Sequence, residues 1–420
     1  MSKKILTIVI ALLMISVVSS AAVLFLFPYE PTQPPRADDT GSTQQGVQEV
    51  VNANNKFAFE FYSESNKGEE GNIFFSPYSI SAALAMTYEG AKGQTADEMK
   101  SVFHFPESSI LRPNFAAIYN DINRGSDAFE LRTGNALWVQ KDYPLLEDYT
   151  TGVEQYYGGK AANLDFAGET EESRQTINSF IAEQTNNKIK DLLPPGSVGA
   201  LTGLVLTNAI YFKGTWKWQF DQSDTHEMDF KITPTNIVKT PMMFMEPDKA
   251  SFNYTDTGDL QILELPYKGE KISMLILLPT ENLDSIESSL TTEKLDEYKS
   301  QMKETKLDSI YLPKFEFYTT YNLNKNLKAL GMPTAFDSDN ADFSGMTGQR
   351  DLFISLVIHQ AYVKVDEKGT EAAAATAVIG TMSARIPRNV FMADHPFIFI
   401  IQERGTGNIL FFGKVVDPTK

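Results

Sequence analysis

The stretch DEKGTEAAAATAVIGTMSAR, which runs from Asp366 to Arg385 near the end of a 420-residue chain, combines properties that rarely occur together. Residues 372–384 carry no charge, and most of them are small. Four consecutive alanines favour a helix, yet the stretch follows a strand-like run and ends in residues that do not continue a helix. Local pattern alone therefore leaves helix, strand and loop open, and the rest of the sequence has to decide.

The composition limits the kind of protein to which this stretch belongs. Hydrophobic residues make up 42% of the chain and aromatic residues 11%, which predicts a globular body with a sizeable core, built as one large domain or two. The net charge of -17, without a basic cluster, argues against nucleic acid as a partner. The chain has no cysteine, and its four histidines form no HExxH motif. We therefore expect no metal and no cofactor.

The N-terminus differs in kind from the rest of the chain. Lys3 and Lys4 precede an uncharged and mostly apolar run at residues 5–27, which is long enough to span a bilayer. The small residues at 20–22 resemble a signal cleavage site, but the apolar run continues beyond them. A membrane anchor is favoured over a cleaved signal peptide for residues 1–27. Either would send the remainder out of the cell, so the sequence predicts an extracellular protein, secreted or tethered to the outer face of the cell membrane.

Residues 28–49 are rich in proline and polar residues and show no periodicity, which predicts a linker. The folded domain is expected to cover residues 50–420. This part contains no internal repeat and no second linker, so one α+β domain is favoured over two.

Helix signals dominate the first part of the domain and strand signals the second. Ser76 can cap a helix that has Pro77 in its first turn and ends at Gly90. An apolar stripe from Ile177 to Leu192 predicts a second helix, which a Pro-Pro-Gly sequence stops. The strand candidates are GLVLTNAIYF at 203–212, ISMLILLP at 272–279, DSIYLPKFEF at 308–317, ISLVIHQAYVKV at 354–365, and the hairpin FIFIIQERGTGNILFFGKVV at 397–416.

Six segments carry a resemblance to the serpin family that extends over residues 50–420. They are NIFFSPYSISAALAMTYEGAKGQTADEM (72–99), TGNALWVQ (133–140), LVLTNAIYFKGTWKWQFD (204–221), YLPKFEF (311–317), VDEKGTEAAAATA (365–377) and ADHPFIFIIQERGTGNILFFGKV (393–415). The resemblance implies three β-sheets with eight or nine helices, and an exposed reactive loop that baits a protease. We call residues 367–386 the reactive loop.

The resemblance also gives the quoted stretch a mechanism. After cleavage, the loop of a serpin inserts into the main sheet as a new strand, and every second side chain then enters the core. From Thr370 onward the inward set is Thr370, Ala372, Ala374, Thr376, Val378 and Gly380, which includes no charge and no large ring. The hinge implied by the resemblance consists of Glu367, Gly369, Thr370, Glu371, Ala372, Ala373, Ala374, Ala375 and Thr376. An Ala-rich surface helix over residues 371–378 is the alternative, which the family motifs around it disfavour.

Two polar clusters follow from the same resemblance. One, called the shutter, lies beneath the opening sheet and comprises Ser76, Ser79, Asn208 and His359. The other, called the breach, lies where insertion starts and comprises Trp216, Lys314 and Glu367, with the lysine and the glutamate paired. Strand alternation by itself places His359 on one face with valines and an alanine, so it should be buried and hydrogen-bonded.

The scissile bond has two candidate positions. The resemblance implies a span of seventeen residues that begins at Glu367, which places the bond at Ser383–Ala384 and would suit elastase- or subtilisin-like proteases that accept small residues. Counted back from HPFIF, where the family's spacing varies more, the bond can instead lie at Arg385–Ile386, which would suit trypsin-like proteases. Ser383 is favoured because insertion depends on the length of the hinge.

The sequence therefore predicts a suicide inhibitor of serine proteases, expected to be a monomer, rather than an enzyme. The motifs GxSxG, P-loop and Rossmann GxGxxG are all absent, and no catalytic residue is expected. A non-inhibitory serpin that acts in binding, storage or chaperone-like assistance is the alternative. It would be marked by charged, bulky or proline residues among the inward hinge positions, and none occurs there.

Overall fold

The computed structural model describes residues 36–123, 128–247, 250–370 and 389–420. Both candidate scissile bonds and the hinge residues from Glu371 to Thr376 lie outside the described residues.

Helices are concentrated in the first half of the described chain, as the sequence predicts. Two of them are single turns of four residues. The helices are α1 (Gln44–Ser65), α2 (Pro77–Tyr88), α3 (Gly93–Phe103), α4 (Ser108–Asn123), α5 (Glu147–Tyr157), α6 (Thr170–Gln184), α7 (Asp284–Glu287), α8 (Thr292–Gln301), α9 (Asn324–Leu330) and α10 (Ser344–Thr347).

The described strands form three sheets, which confirms the predicted α+β class. The seven-stranded sheet has the order β1 (Ile73–Phe75), β17 (Ile409–Val415), β16 (Phe397–Glu403), β9 (Ile272–Pro279), β8 (Leu260–Pro266), β7 (Phe252–Asp256), β10 (Lys303–Thr305). The four-stranded sheet has the order β15 (Val390–Met392), β11 (Ser309–Pro313), β6 (Asn236–Met245), β5 (His226–Thr233). The six-stranded sheet has the order β12 (Phe315–Asn322), β13 (Ile354–Asp366), β14 (Gly369–Thr370), β4 (Leu204–Thr215), β2 (Phe129–Gln140), β3 (Lys160–Leu164).

Several local predictions are confirmed at the level of single elements. Ser76 caps α2, because its side chain accepts a hydrogen bond from the backbone N–H of Ser79, and Pro77 occupies the first helical position. Strand β9 has the bounds that the apolar run predicts, and β16 and β17 pair as the predicted antiparallel hairpin.

The first helix begins earlier than the sequence pattern indicates. Helix α1 starts at Gln44, within the range predicted to be a linker, and Thr43 caps it by accepting the backbone N–H of Gly46. Ala37 is buried as well, and its backbone N–H donates to the side chain of Asn120 at 2.9 Å. Ordered structure therefore extends into the range 28–49, because contacts with helix α4 hold residues whose local composition is that of a linker.

The apolar stripe that runs from Ile177 to Leu192 does not correspond to one helix. Helix α6 ends at Gln184, and Asn186 and Asn187 then adopt positive φ angles of 53° and 59°. Two successive left-handed residues cannot continue an α-helix. Leu192 is nevertheless buried, so its apolar character reflects packing of the segment after the helix.

The pattern at 308–317 also divides into two elements. Strand β11 ends at Pro313 in the four-stranded sheet, and β12 begins at Phe315 in the six-stranded sheet. Lys314 lies at the change between the two sheets, where its backbone N–H donates to the carbonyl of Pro241 at 2.9 Å. A continuous β-pattern thus contributes to two sheets and positions one lysine between them.

Aromatic side chains fill much of the core behind the six-stranded sheet. Phe74 of β1 stacks on Phe411 at 5.3 Å and on Phe399 at 5.6 Å between ring centroids. Phe411 in turn lies 5.8 Å from Phe212 of β4, which joins the seven-stranded sheet to the six-stranded one. This packing buries the inner face of the six-stranded sheet, on which the residues of the candidate site lie.

Candidate functional site

The hinge begins as a short strand held between two neighbours. Strand β14 pairs antiparallel with β13, with Thr370 opposite Val365, and antiparallel with β4, with Thr370 opposite Gly214. Gly369 has a φ of 150°, and a Cβ atom there would lie 1.9 Å from the carbonyl oxygen of Gly214. Only glycine fits this close approach of two backbones. The chain therefore enters the six-stranded sheet at Gly369.

Thr370 points into the core, as the alternation argument predicts for the first inward position. Its side chain is buried, with 1% of the residue exposed, and its Oγ1 lies 2.6 Å from the hydroxyl oxygen of Tyr267. The remaining inward positions lie outside the described residues, so their orientation stays a prediction.

The three residues predicted for the breach lie together beside this strand. The Nζ of Lys314 donates to both carboxylate oxygens of Glu367, at 3.0 and 2.9 Å, and the Thr225 hydroxyl donates to one of them at 2.9 Å. The indole N–H of Trp216 donates to the backbone carbonyl of Asp366 at 3.0 Å. These bonds fasten the turn between β13 and β14 to the end of β4, to the junction of β11 and β12, and to the residue before β5.

Burial and hydrogen bonding act in opposite directions on the carboxylates of this turn. Burial alone would raise the pKa of Glu367, but the hydrogen bonds from Lys314 and Thr225 hold that pKa below its usual value. Burial raises the pKa of the neighbouring Asp366, against the effect of one hydrogen bond from the backbone N–H of Lys368. Glu367 is thus held as an anion paired with Lys314.

The four residues predicted for the shutter form one connected hydrogen-bond network, and all four are buried. The backbone N–H of Ser76 donates to Nε2 of His359 at 3.1 Å, and the other ring nitrogen bonds to Oδ1 of Asn208. The side-chain amide of Asn208 donates to Oγ of Ser79 at 2.6 Å and to its carbonyl at 2.7 Å. Strand β4 is therefore connected through this network to strand β13 and to helix α2.

The network determines the protonation state of His359. Because Nε2 accepts a hydrogen bond from a backbone N–H, the proton of the neutral ring lies on Nδ1 and is donated to Asn208. Burial lowers the pKa of His359 to about 3. The predicted burial of this histidine is confirmed, and the ring is neutral at ordinary pH.

Beyond the hinge strand, β13 and β4 are paired directly. They run parallel, with Val357 opposite Leu206, His359 opposite Asn208 and Ala361 opposite Ile210. The sheet is therefore closed along most of its length and parted only at the end where β14 lies.

Two contributors to the site are missed by sequence reasoning. Asn135 lies in the TGNALWVQ motif, and its Oδ1 accepts a hydrogen bond from Oγ of Ser79 at 3.0 Å. Tyr267 carries no local signal of its own, since it simply follows β8. Among the described residues, no group of acidic or histidine side chains is arranged to hold a metal ion.

The family of the chain is established by comparison. The model of the Serpin (serine protease inhibitor) family matches residues 52–418. The chain belongs to the serpin family. The relatives in this comparison that are named for an activity on proteases are inhibitors.

Similar proteins come from distant organisms. Leukocyte elastase inhibitor A of Rattus norvegicus is 40% identical over 380 residues, which cover 89% of this chain and 100% of that protein. A serpin-like protein of Thermococcus kodakarensis is 44% identical over 375 residues, covering 88% of this chain and 86% of that protein. The match with both relatives thus extends over nearly the whole chain.

Solved structures show the same fold. Uncleaved ovalbumin has a TM-score of 0.80 at 33% identity and covers 88% of this chain and 100% of its own. Human thyroxine-binding globulin has a TM-score of 0.80 at 32% identity and covers 89% of this chain and 100% of its own. The predicted serpin fold is confirmed.

The predicted extracellular location is contradicted by the same comparison. The leukocyte elastase inhibitors of rat and human align over 100% of their own length with 89% of this chain, so the rest of this chain has no counterpart in them. Within residues 36–420, apart from the gaps named above, no helix combines the length and apolar character needed to cross a membrane. The similarity to these inhibitors therefore does not support the location that was inferred from the N-terminal run.

Proposed function

We propose that this protein is a suicide inhibitor of serine proteases. The protease serine attacks the carbonyl carbon of the scissile bond, the peptide bond breaks, and the new amino terminus leaves with a proton. The inhibitor then remains attached to the protease through an ester. Insertion of the freed loop between β13 and β4 carries the protease away from its docking position before water hydrolyses the ester.

The register of the hinge strand is the observation that carries this proposal. Thr370 lies opposite both Val365 and Gly214. If the antiparallel register continues, position 374 comes opposite Ala361 and Ile210, which at present pair with each other. The registers of β14 with β13 and with β4 therefore agree with the direct β13–β4 register. A longer inserted strand could pair with both neighbours without any shift between them.

The same extrapolation brings Thr376 between His359 and Asn208. Insertion would therefore part the hydrogen bond that joins these side chains, and a threonine hydroxyl would enter the space between them. The inward alanines at 372 and 374 would meet buried neighbours in Phe212 and Ala361, which small side chains suit.

The balance of backbone hydrogen bonds favours insertion. The parallel β13–β4 pairing is lost, and two antiparallel pairings, one on each side of the new strand, replace it. This gain is what would make the intact chain kinetically trapped, with the energy released once cleavage frees the loop.

The target class is proposed from the loop sequence and from the relatives. Relatives of this chain are named leukocyte elastase inhibitors, which favours an elastase- or subtilisin-like protease acting at Ser383–Ala384. Cleavage at Arg385–Ile386 by a trypsin-like protease is the second candidate.

Incubation with elastase, subtilisin and trypsin tests the proposal. We expect a complex that survives denaturing electrophoresis, together with a released C-terminal fragment whose mass locates the bond. A fragment that begins at Ala384 supports the first position, and one that begins at Ile386 supports the second. Cleavage by all three proteases without a stable complex would refute inhibition and favour the non-inhibitory alternative, for which thyroxine-binding globulin, named for a ligand, provides a precedent of the same fold.

A further inference from the structure

The hydroxyl of Tyr267 lies at the point where the hinge enters the six-stranded sheet. It is 2.6 Å from Oγ1 of Thr370, and both residues are buried. Tyr267 belongs to neither strand that flanks the hinge. It lies just after β8 of the seven-stranded sheet and forms an isolated antiparallel β-bridge with Trp216, which follows β4.

The ring of Tyr267 is fixed on several sides. It stacks on Trp216, with 4.4 Å between centroids and an interplanar angle of 14°, and meets Phe212 edge-on at 5.1 Å. Its backbone N–H donates to the carbonyl of Ile272 at 3.0 Å, and the next N–H donates to Thr215 at 2.7 Å. The hydroxyl therefore has a fixed position on the inner face of the sheet. An inward side chain on a strand between β4 and β13 can reach it, as Thr370 does.

Within the described part of the chain, neither the Tyr267 side chain nor the Thr370 side chain makes a hydrogen bond other than this one. If Thr370 left the sheet, the Tyr267 hydroxyl would lose this partner, and a buried hydroxyl without a partner is costly. The contact therefore favours the state in which the first inward residue of the hinge is already in the sheet.

We infer that Tyr267 is a positioning residue for inhibition, because its hydroxyl holds Thr370 as the first inserted position from which the new strand grows. The inference rests on the proposed function. In the acyl-enzyme the loop is also bound by the protease, so insertion competes with hydrolysis of the ester. A hydroxyl bond that favours the inserted hinge raises the share of reactions that end in a trapped complex.

Single changes can remove either half of the contact while nearly preserving shape. Tyr267→Phe removes one hydroxyl, Thr370→Val removes the other, and the double variant leaves neither hydroxyl unpaired. Thr370→Ser keeps the hydroxyl and serves as the conservative rescue. Tyr149→Phe is the matched control, because this buried tyrosine also has a hydrogen bond, to the carbonyl of Met86, but lies away from the hinge.

Hydrogen exchange of the backbone amides at 366–370 measures the hinge contact without any protease. We expect exchange to become about two- to tenfold faster in Tyr267→Phe and in Thr370→Val, as the loss of one buried hydrogen bond predicts. In the double variant, the increase in exchange rate should be smaller than the product of the increases in the two single variants. Thr370→Ser and Tyr149→Phe should exchange at the wild-type rate. Unchanged exchange in both single variants would overturn the inference.

The ratio of cleaved to trapped inhibitor then measures the positioning role. We expect this ratio to rise about two- to tenfold in Tyr267→Phe and in Thr370→Val, and to stay at the wild-type value in Thr370→Ser. A wild-type ratio in Tyr267→Phe, with faster hinge exchange, would overturn the positioning role while leaving the proposed function intact. If the wild-type chain itself forms no complex, the proposed function fails and takes the positioning role with it.

Discussion

Acidification should destabilise the protein through His359, which the folded chain holds neutral. Burial lowers its pKa from 6.5 to about 3, so an unfolded chain takes up a proton near pH 6.5 that the folded chain refuses. The contribution of this group to stability is complete above pH 6.5 and is lost as the pH falls towards 3. Each pH unit in that window corresponds to about 1.4 kcal/mol.

Between pH 7 and pH 4.5 the His359 contribution should fall by about 2.5 kcal/mol. Urea unfolding followed by tryptophan fluorescence measures it, with His359→Gln as the comparison, because glutamine does not titrate. The variant should be less stable at pH 7, since it loses the contact with Asn208. Between pH 7 and pH 4.5, however, its free energy of unfolding should fall by about 2.5 kcal/mol less than that of the wild type.

Other titrating groups, His395 among them, are present in both proteins, so the difference between the two pH profiles isolates His359. Equal loss of stability on acidification, to within about 0.5 kcal/mol, would refute the reasoning. It would mean that the ring is protonated in the folded state or that the network opens before the protein unfolds.

Three further outcomes are expected. Thr370→Arg should turn the protein from an inhibitor into a substrate, because a charge enters the first inward position, whereas Glu371→Arg should still give a stable complex with the same protease. Proteolytic cleavage between Ile379 and Arg385 should raise the melting temperature by roughly tens of degrees in calorimetry, and an unchanged or lower value would argue against loop insertion. Lys314→Ala should cost about 1–3 kcal/mol in urea unfolding, because it leaves the Glu367 carboxylate, 9% exposed, without its cation. The exposed pair of Lys239 is the control, and its alanine variant should change stability by less than about 0.5 kcal/mol.

Short-range signals are sufficient for much of the fold. The cap at Ser76 with Pro77 behind it, the apolar run of β9 and the hairpin after Phe397 depend on residues within a few positions of one another. Their bounds could be predicted because capping and period-2 alternation act locally. The family motifs added the identity of the residues that form the shutter and the breach.

Local patterns were insufficient where packing decides the outcome. The apolar stripe that ends at Leu192 continues past the end of helix α6, because two asparagines adopt left-handed angles and the later apolar residues pack outside the helix. Ordered structure before residue 50 depends on distant contacts such as that between Ala37 and Asn120, which no linker-like composition reveals.

A small and uncharged set at every second position from Thr370, which the proposed insertion would place in the core, could be recognised from the sequence alone. The place where Thr370 enters the sheet depends on tertiary structure, because the partners are far away along the chain: Tyr267 is 103 positions from Thr370, and Asn208 is 151 positions from His359. Alternation along a strand is a property of neighbours, whereas the register between β13, β14 and β4 arises only when the sheet closes. The physical reason is that a strand's own residues set its two faces, while its place in a sheet is set by the strands on either side.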